Sequence, residues 1–241
     1  MNTATLSNRY GQRIDATFHS APNDAYLALL GHGITGNKDR PLVVGLAEEL
    51  ANLGIPSLRF SFAGNGKSQG RFEDCTITSQ TEDLVDLLGH VSNTSRHIIY
   101  IGHSLGGAVG TLVAANEPNR IHTLVSLAGM VHTTAFFQRE FGEQTPGDGF
   151  MWDEPACPLS QKAWDNAHEI HNTLDAAQRI TQPWLLFHGT DDDVVPVSDS
   201  RDALAATASP RTDFYERPGE EHMFSKEAYP EIAKAIVNFL R

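Results

Sequence analysis

The sequence predicts an α/β fold: a mostly parallel central sheet covered by helices on both faces. Three observations carry this reading. Short apolar runs of four to seven residues recur along the chain without the in–out alternation of a half-solvated strand. Several of them end directly on glycine, as in Leu30-Gly31 and Ile101-Gly102. Between them lie stretches of helical length with apolar residues at helical spacing. Unalternating Ile/Val/Leu/Phe runs are how strands buried on both faces read, and strands that alternate with helices build parallel sheets.

Taken in order, the first strand is expected at Tyr26–Leu30, closed by Gly31. Pro41 suits the first position of a helix, and Leu42–Leu53 continues it to a stop at Gly54. Ile55–Phe60 is the next strand and runs into a glycine-rich turn. Leu84, Leu87, Leu88 and Val91 fall at i, i+3, i+4 and i+7, one helical stripe. His97–Ile101 is a strand, and Leu105–Ala115 a helix that ends before Pro118. Ile121–Leu127 and Trp184–Phe187 are further strands. Val197–Ala208 is a helix after Pro196, and Ile232, Ile236, Phe239 and Leu240 form the inward face of a last helix after Pro230. Residues 132–172 break the alternation. They carry Phe136, Phe137, Phe141, Phe150, Met151, Trp152 and Trp164 among Gly, Pro, Asp and Glu. They read as a cap of loops and short helices inserted in one domain spanning 1–241.

Composition bounds the function. The 241 residues are 40% apolar and 20% charged, which excludes a disordered acidic chain. A single body of this mass buries nearly three quarters of the surface of its unfolded chain, so a large core is available without staples. Eighteen basic residues against thirty acidic ones, a net charge of −12, argue against nucleic-acid and anionic-membrane partners. No run approaches the roughly 18 apolar residues of a membrane span. Cys75 and Cys157 are expected to be free thiols. Met1–Ser20 has no basic start followed by an apolar stretch, so the expected location is cytoplasmic.

The chemistry concentrates in three segments. Gly102-His103-Ser104-Leu105-Gly106 sits between an expected strand and an expected helix. That is the context of a G-x-S-x-G nucleophile elbow, where glycines let strand and helix approach while the serine projects from a strained turn. A serine hydroxyl needs a base. His222, in Pro218-Gly219-Glu220-Glu221-His222, is the candidate. The acid comes from the run Asp191-Asp192-Asp193, which precedes it.

With these residues in hand, the chain resembles the α/β-hydrolase superfamily from about Tyr26 to its end. The resemblance implies the order nucleophile, acid, histidine. Laying the acid-loop pattern H-G-x-x-D-x-x-V-P on His188–Pro196 puts the acid on Asp192, with Asp191 and Asp193 as alternatives. It also implies an oxyanion hole from the backbone N–H groups of Ile34, in His32-Gly33-Ile34-Thr35-Gly36, and of Leu105. Arg59–Ser68 is similar to a D-x-R-G-x-G-x-S loop, with Ser61 and Ala63 in place of Asp and Arg. The form is similar to esterase and lysophospholipase-like hydrolases and to bacterial feruloyl (cinnamoyl) esterases, whose H-G-F-T loop has Phe where this chain has Ile34.

The expected activity is therefore cleavage of small carboxylic esters by Ser104, Asp192 and His222 through an acyl-enzyme. Phe136 and Trp152 are candidate substrate contacts, and no cofactor or metal is called for. A peptidase, amidase or thioesterase on the same triad, and a non-catalytic ligand-binding protein, are the alternatives. His168-Glu169-Ile170-His171 lacks the H-E-x-x-H frame and reads as a solvated helix face. Gly64-Asn65-Gly66-Lys67-Ser68 fails the spacing of a phosphate loop, and no dinucleotide fingerprint follows the first strand. Oligomeric state and the identity of the ester are not legible.

Overall fold

A computed structural model describes residues 6–92 and 96–241; the first five residues of the amino-terminal stretch considered above lie outside it. Seven strands form one sheet: β1 (Ala16–His19), β2 (Tyr26–Gly31), β3 (Ser57–Phe60), β4 (His97–His103), β5 (Thr123–Leu127), β6 (Trp184–Gly189) and β7 (Thr212–Arg217). Their spatial order is β1-β3-β2-β4-β5-β6-β7. Only β1 runs antiparallel to its neighbour, pairing Phe18 with Leu58. The β4–β5 register sets Gly102 beside Ser126 and His103 beside Leu127.

The helices are α1 (Pro41–Asn52), α2 (Ile77–Val91), α3 (Leu105–Asn116), α4 (Thr133–Phe141), α5 (Gln161–Ile170), α6 (Leu174–Ala177), α7 (Val197–Ala206) and α8 (Ala228–Phe239). The central strands alternate between two cores. In β4, Ile98 and Tyr100 join the core under α2 and α3, while Ile99 and Ile101 join the one under α1 and α8. In β6, Trp184 and Leu186 face the first core, and Leu185 and Phe187 the second. Both faces of these strands are therefore buried, which is why their sequences are apolar throughout.

Two strands escaped the sequence reading. β7 reads Thr-Asp-Phe-Tyr-Glu-Arg and has only half-buried and exposed positions, none fully buried. β1, four residues at the other edge, is half-buried throughout. Edge strands keep polar and charged residues against unwanted pairing, so they carry no continuous apolar run. The last helix begins at Ala228, before Pro230. Proline fits there because the N–H groups of a first helical turn have no intrahelical acceptor. Between β5 and β6, residues 132–172 hold α4, α5 and a short 3-10 turn at Met151–Asp153, and no strand.

Candidate active site

Ser104 links the end of β4 to the start of α3 with φ 53° and ψ −117°. A non-glycine residue there is strained, and the surroundings hold it in place. The Ser104 N–H donates to Leu127 O at 2.9 Å, and its carbonyl accepts from Met130 N–H at 3.1 Å and Gly107 N–H at 2.9 Å. The flanking glycines are compulsory. A Cβ on Gly102 would stand 2.2 Å from Gly106 O, and one on Gly106 would stand 2.8 Å from His32 O. The Ser104 hydroxyl is buried and makes no hydrogen bond.

The loop His32–Gly36 packs against this elbow, so closely that a Cβ on Gly33 would meet Ser104 Cβ at 2.9 Å. The Gly33 carbonyl accepts from Gly36 N–H at 3.0 Å and from His32 Nδ1 at 2.8 Å. His32 Nε2 in turn accepts from Phe62 N–H at 3.1 Å, so the proton sits on Nδ1. Since the 33–34 peptide is trans, pinning that carbonyl aims the Ile34 N–H the opposite way. The N–H groups of Ile34 and Leu105 have no hydrogen-bond partner among the described residues. Leu105 is the first residue of α3, where free N–H groups and the helix dipole favour a negative charge.

His222 lies after β7. Its carbonyl accepts from His103 Nε2 at 2.9 Å, and the two rings stand 4.7 Å apart between centroids. This contact fixes His222 beside the elbow. Its Nδ1 meets Asp192 Oδ2 at 2.8 Å. Of the three consecutive aspartates, only Asp192 reaches His222; Asp191 accepts from its neighbour Thr190, and Asp193 is exposed. The Asp192 side chain is fully buried. Its Oδ1 accepts the N–H groups of Val194 at 2.9 Å and Val195 at 2.8 Å. His188 Nε2 stands 3.2 Å from Oδ2 and 2.8 Å from Val195 O, so it carries a proton, while its Nδ1 accepts from Ser200 Oγ. Burial alone would raise the Asp192 carboxyl; the hydrogen bonds from His188, His222 and Val195 N–H outweigh it and hold the group well below the usual carboxylate range.

The structure thus brings Asp192 and His222 into contact and sets them at the Ser104 elbow. Ser104 Oγ makes no hydrogen bond to His222. The structure places the two aromatic candidates off the wall of the pocket beside the elbow. Phe136 is 2% exposed and packs edge-on against Phe137, Phe141 and Trp152. Trp152 is 43% exposed and donates to Glu140 at 3.1 Å. Neither lines the narrow pocket of about 20 Å³ beside the elbow, whereas Phe137 does, with Ile34, Leu105, Ile77 and Met151. Successive helical residues point about 100° apart, so one position in α4 separates the pocket wall from the packing behind it.

Cys75 also borders this pocket, and burial pushes its thiol up to about 12, which removes it as a competing thiolate nucleophile. Both cysteines are free. A separate cleft at the amino ends of β4 and β5, near His97 and His122, lies at the opposite end of the strands from Ser104. Ligands of open α/β sheets bind at the carboxyl ends. Among the described residues no group of three or more His, Cys, Asp or Glu side chains could hold a metal ion, and no helix is long and apolar enough to cross a membrane.

Burial lowers His103 to about 3, assisted by neighbouring His222, and lowers His32 to about 4. Both stay neutral in the fold but take up protons near 6.5 once the chain unfolds. Stability present above about pH 6.5 is therefore lost as pH falls toward 4, at up to about 1.4 kcal/mol per pH unit for each histidine. Below the ordinary carboxylate range Asp192 adds a loss of the same sign, because only the unfolded chain binds its proton. Relaxation of the −12 net charge works the other way. The expected result is that urea unfolding of His103→Gln responds less steeply to pH between 6.5 and 4.5 than wild type, by about one proton. Parallel curves would contradict the neutral buried histidine.

Residues 71–241, which include Ser104, Asp192 and His222, match the model of the prolyl oligopeptidase family. The chain belongs to this family. Among curated relatives, the mouse protein named palmitoyl-protein thioesterase ABHD10, mitochondrial, is 25% identical over 224 residues, covering 86% of this chain and 75% of the relative. Among solved structures, Est1E from Butyrivibrio proteoclasticus with ferulic acid bound superposes with a TM-score of 0.83 at 24% identity, covering 97% of this chain and 98% of that one. Mouse alpha/beta hydrolase domain-containing protein 10 gives 0.82 at 21% identity, covering 98% and 97%. This member of the prolyl oligopeptidase family has the α/β-hydrolase fold expected from its sequence.

Within that fold, sequence reasoning passed over three residues of the site. His32 and His188 served only to frame motifs, yet each holds a site peptide or carboxylate in place. Both stand before a glycine at the end of a strand, and that His-Gly pairing was the available signal. Phe137 had no signal separating it from Phe136.

Proposed function

We propose that the protein is a serine hydrolase that cleaves carboxylic esters through an acyl-enzyme on Ser104. The observation that carries this reading is the 2.8 Å contact of His222 Nδ1 with buried Asp192, set beside the strained Ser104 turn. Because Asp192 accepts the Nδ1 proton, His222 Nε2 is left as an acceptor and can take the Ser104 proton as Oγ attacks the carbonyl carbon. The carbonyl oxygen becomes negative between the free N–H groups of Ile34 and Leu105, aimed where that charge develops. The tetrahedral intermediate collapses as Nε2 returns the proton to the leaving alcohol. Water, deprotonated by the same nitrogen, then attacks the acyl carbon and releases the acid and Ser104. Asp192 orients the imidazole and stabilises its cationic form throughout. The acyl group enters the pocket lined by Ile34, Phe137 and Met151, with residues 132–172 as its cap. Such a small cap suits modest soluble esters better than long lipids.

Thioester cleavage is the second reading. It is favoured by an acyl pocket lined by no charged residue and by the relatives named palmitoyl-protein thioesterase. The test is a matched set carrying one acyl group: p-nitrophenyl butyrate, a butyryl thioester and butyryl p-nitroanilide, with mass-spectrometric mapping of a fluorophosphonate adduct. The expected result is an adduct on Ser104 and faster turnover of ester than thioester, with the anilide slowest. A dominant thioester rate moves the assignment to the second reading, and an unmodified Ser104 removes both.

A further inference from the structure

Helix α2 buries a stripe in which Ile77, Leu84, Leu87 and Leu88 pack into the core. Two polar residues share that inward face, Gln80 and Asp83. Asp83 is fully paired, accepting from Asn8 Nδ2 and from Ala63 N–H, each at 2.8 Å. Gln80 is not. It is 4% exposed, its Oε1 is buried without any hydrogen-bond partner, and it lines the pocket beside Ile34 and Leu105. On the same wall Asn65 is engaged with Ala63 O and Cys75, and Thr76 with Ser79 N–H.

A buried carboxamide left unpaired is costly, and an aliphatic residue at an inward α2 position would avoid that cost. Its placement in the pocket wall points to a ligand group that completes it. No Lys, Arg, His, Asp or Glu lines the pocket, so a charged group has no counter-ion there. A hydroxyl fits, because it both donates and accepts and so serves whichever end of the amide faces it. We propose that the acyl group taken by this pocket carries a hydroxyl that pairs with the Gln80 carboxamide, so that Gln80 selects hydroxylated acyl groups over plain hydrocarbon ones. This rests on the proposed reading of Ser104 as a hydrolase nucleophile and of this pocket as its acyl site.

The test compares kcat/KM for methyl esters in pairs: butyrate, hexanoate, octanoate and phenylpropenoate, each against hydroxylated counterparts. Wild type should favour at least one hydroxylated partner by about 10–100-fold. Gln80→Leu, and Gln80→Met should that variant not fold, should bring the ratio to about one. A Gln80 that merely holds a structural water would lower both members of a pair alike and leave the ratio standing, which overturns the proposal. A wild-type ratio near one for every pair overturns it without any variant. The same pairs as primary amides, titrated calorimetrically, read the discrimination without turnover. Absent ester cleavage with preserved binding preference would sink the hydrolase reading and leave the Gln80 pairing in place, whereas equal binding of both members would sink the pairing.

Discussion

Ser104→Ala is expected to lower kcat for p-nitrophenyl butyrate by about 10⁶-fold, to a residue of catalysis supplied by the oxyanion donors and binding alone. The loss is this large because no other group is placed to take over the attack. The Cys75 thiol is held up at about 12 and pairs with Ala63 O. Alanine removes only Oγ, an atom that makes no hydrogen bond in the fold, so the unfolding midpoint should hold or rise. The strained turn is set by backbone contacts to Leu127, Met130 and Gly107 that the variant keeps. Equal rates for Ser104→Ala and wild type would remove Ser104 as nucleophile.

Asp192→Asn is expected to cost about 10⁴-fold in kcat. The asparagine oxygen can still accept the N–H groups of Val194 and Val195, so the loop should keep its shape. Its amide nitrogen then faces His222 Nδ1 and donates to it. That places the imidazole proton on Nε2, where it cannot receive one from Ser104. Asp191→Asn and Asp193→Asn should stay within about twofold of wild type, since neither side chain touches His222. The three variants, compared by kcat together with far-ultraviolet circular dichroism, separate the acid from its neighbours. A crippled Asp193→Asn with an active Asp192→Asn would overturn the assignment.

The elbow was legible because everything that makes it is local. Gly102, Ser104 and Gly106 sit within five residues, and the neighbouring apolar runs announce strand and helix. The choice among Asp191, Asp192 and Asp193 was of another kind. By pattern alone it rested on a resemblance, and three identical side chains blur any frame. What separates them is a contact to His222, thirty positions away, and the burial that goes with it. Which aromatic ring borders the pocket was illegible for a related reason. Phe136 and Phe137 are chemically equal in sequence, and only the packing of α4 against α5 and the Met151–Asp153 turn decides which ring meets the pocket. The edge strands were missed because apolar continuity reports burial on both faces, which β1 and β7 do not have.

The sequence by itself determined the parallel α/β sheet, the strained Ser104 turn, the histidine that follows it in the chain and the loop of candidate oxyanion donors. The sheet and the turn follow from short-range rules of strand burial and glycine geometry, and the histidine from a serine's need of a base, whereas the oxyanion loop is what the family resemblance implied. Tertiary structure alone decided which aspartate meets His222, that His32 and His188 hold the site peptide and carboxylate, which phenylalanine lines the pocket, and that Gln80 faces it unpaired. Each of these depends on atoms brought together from distant parts of the chain, where one hydrogen bond or one buried wall separates residues that read alike.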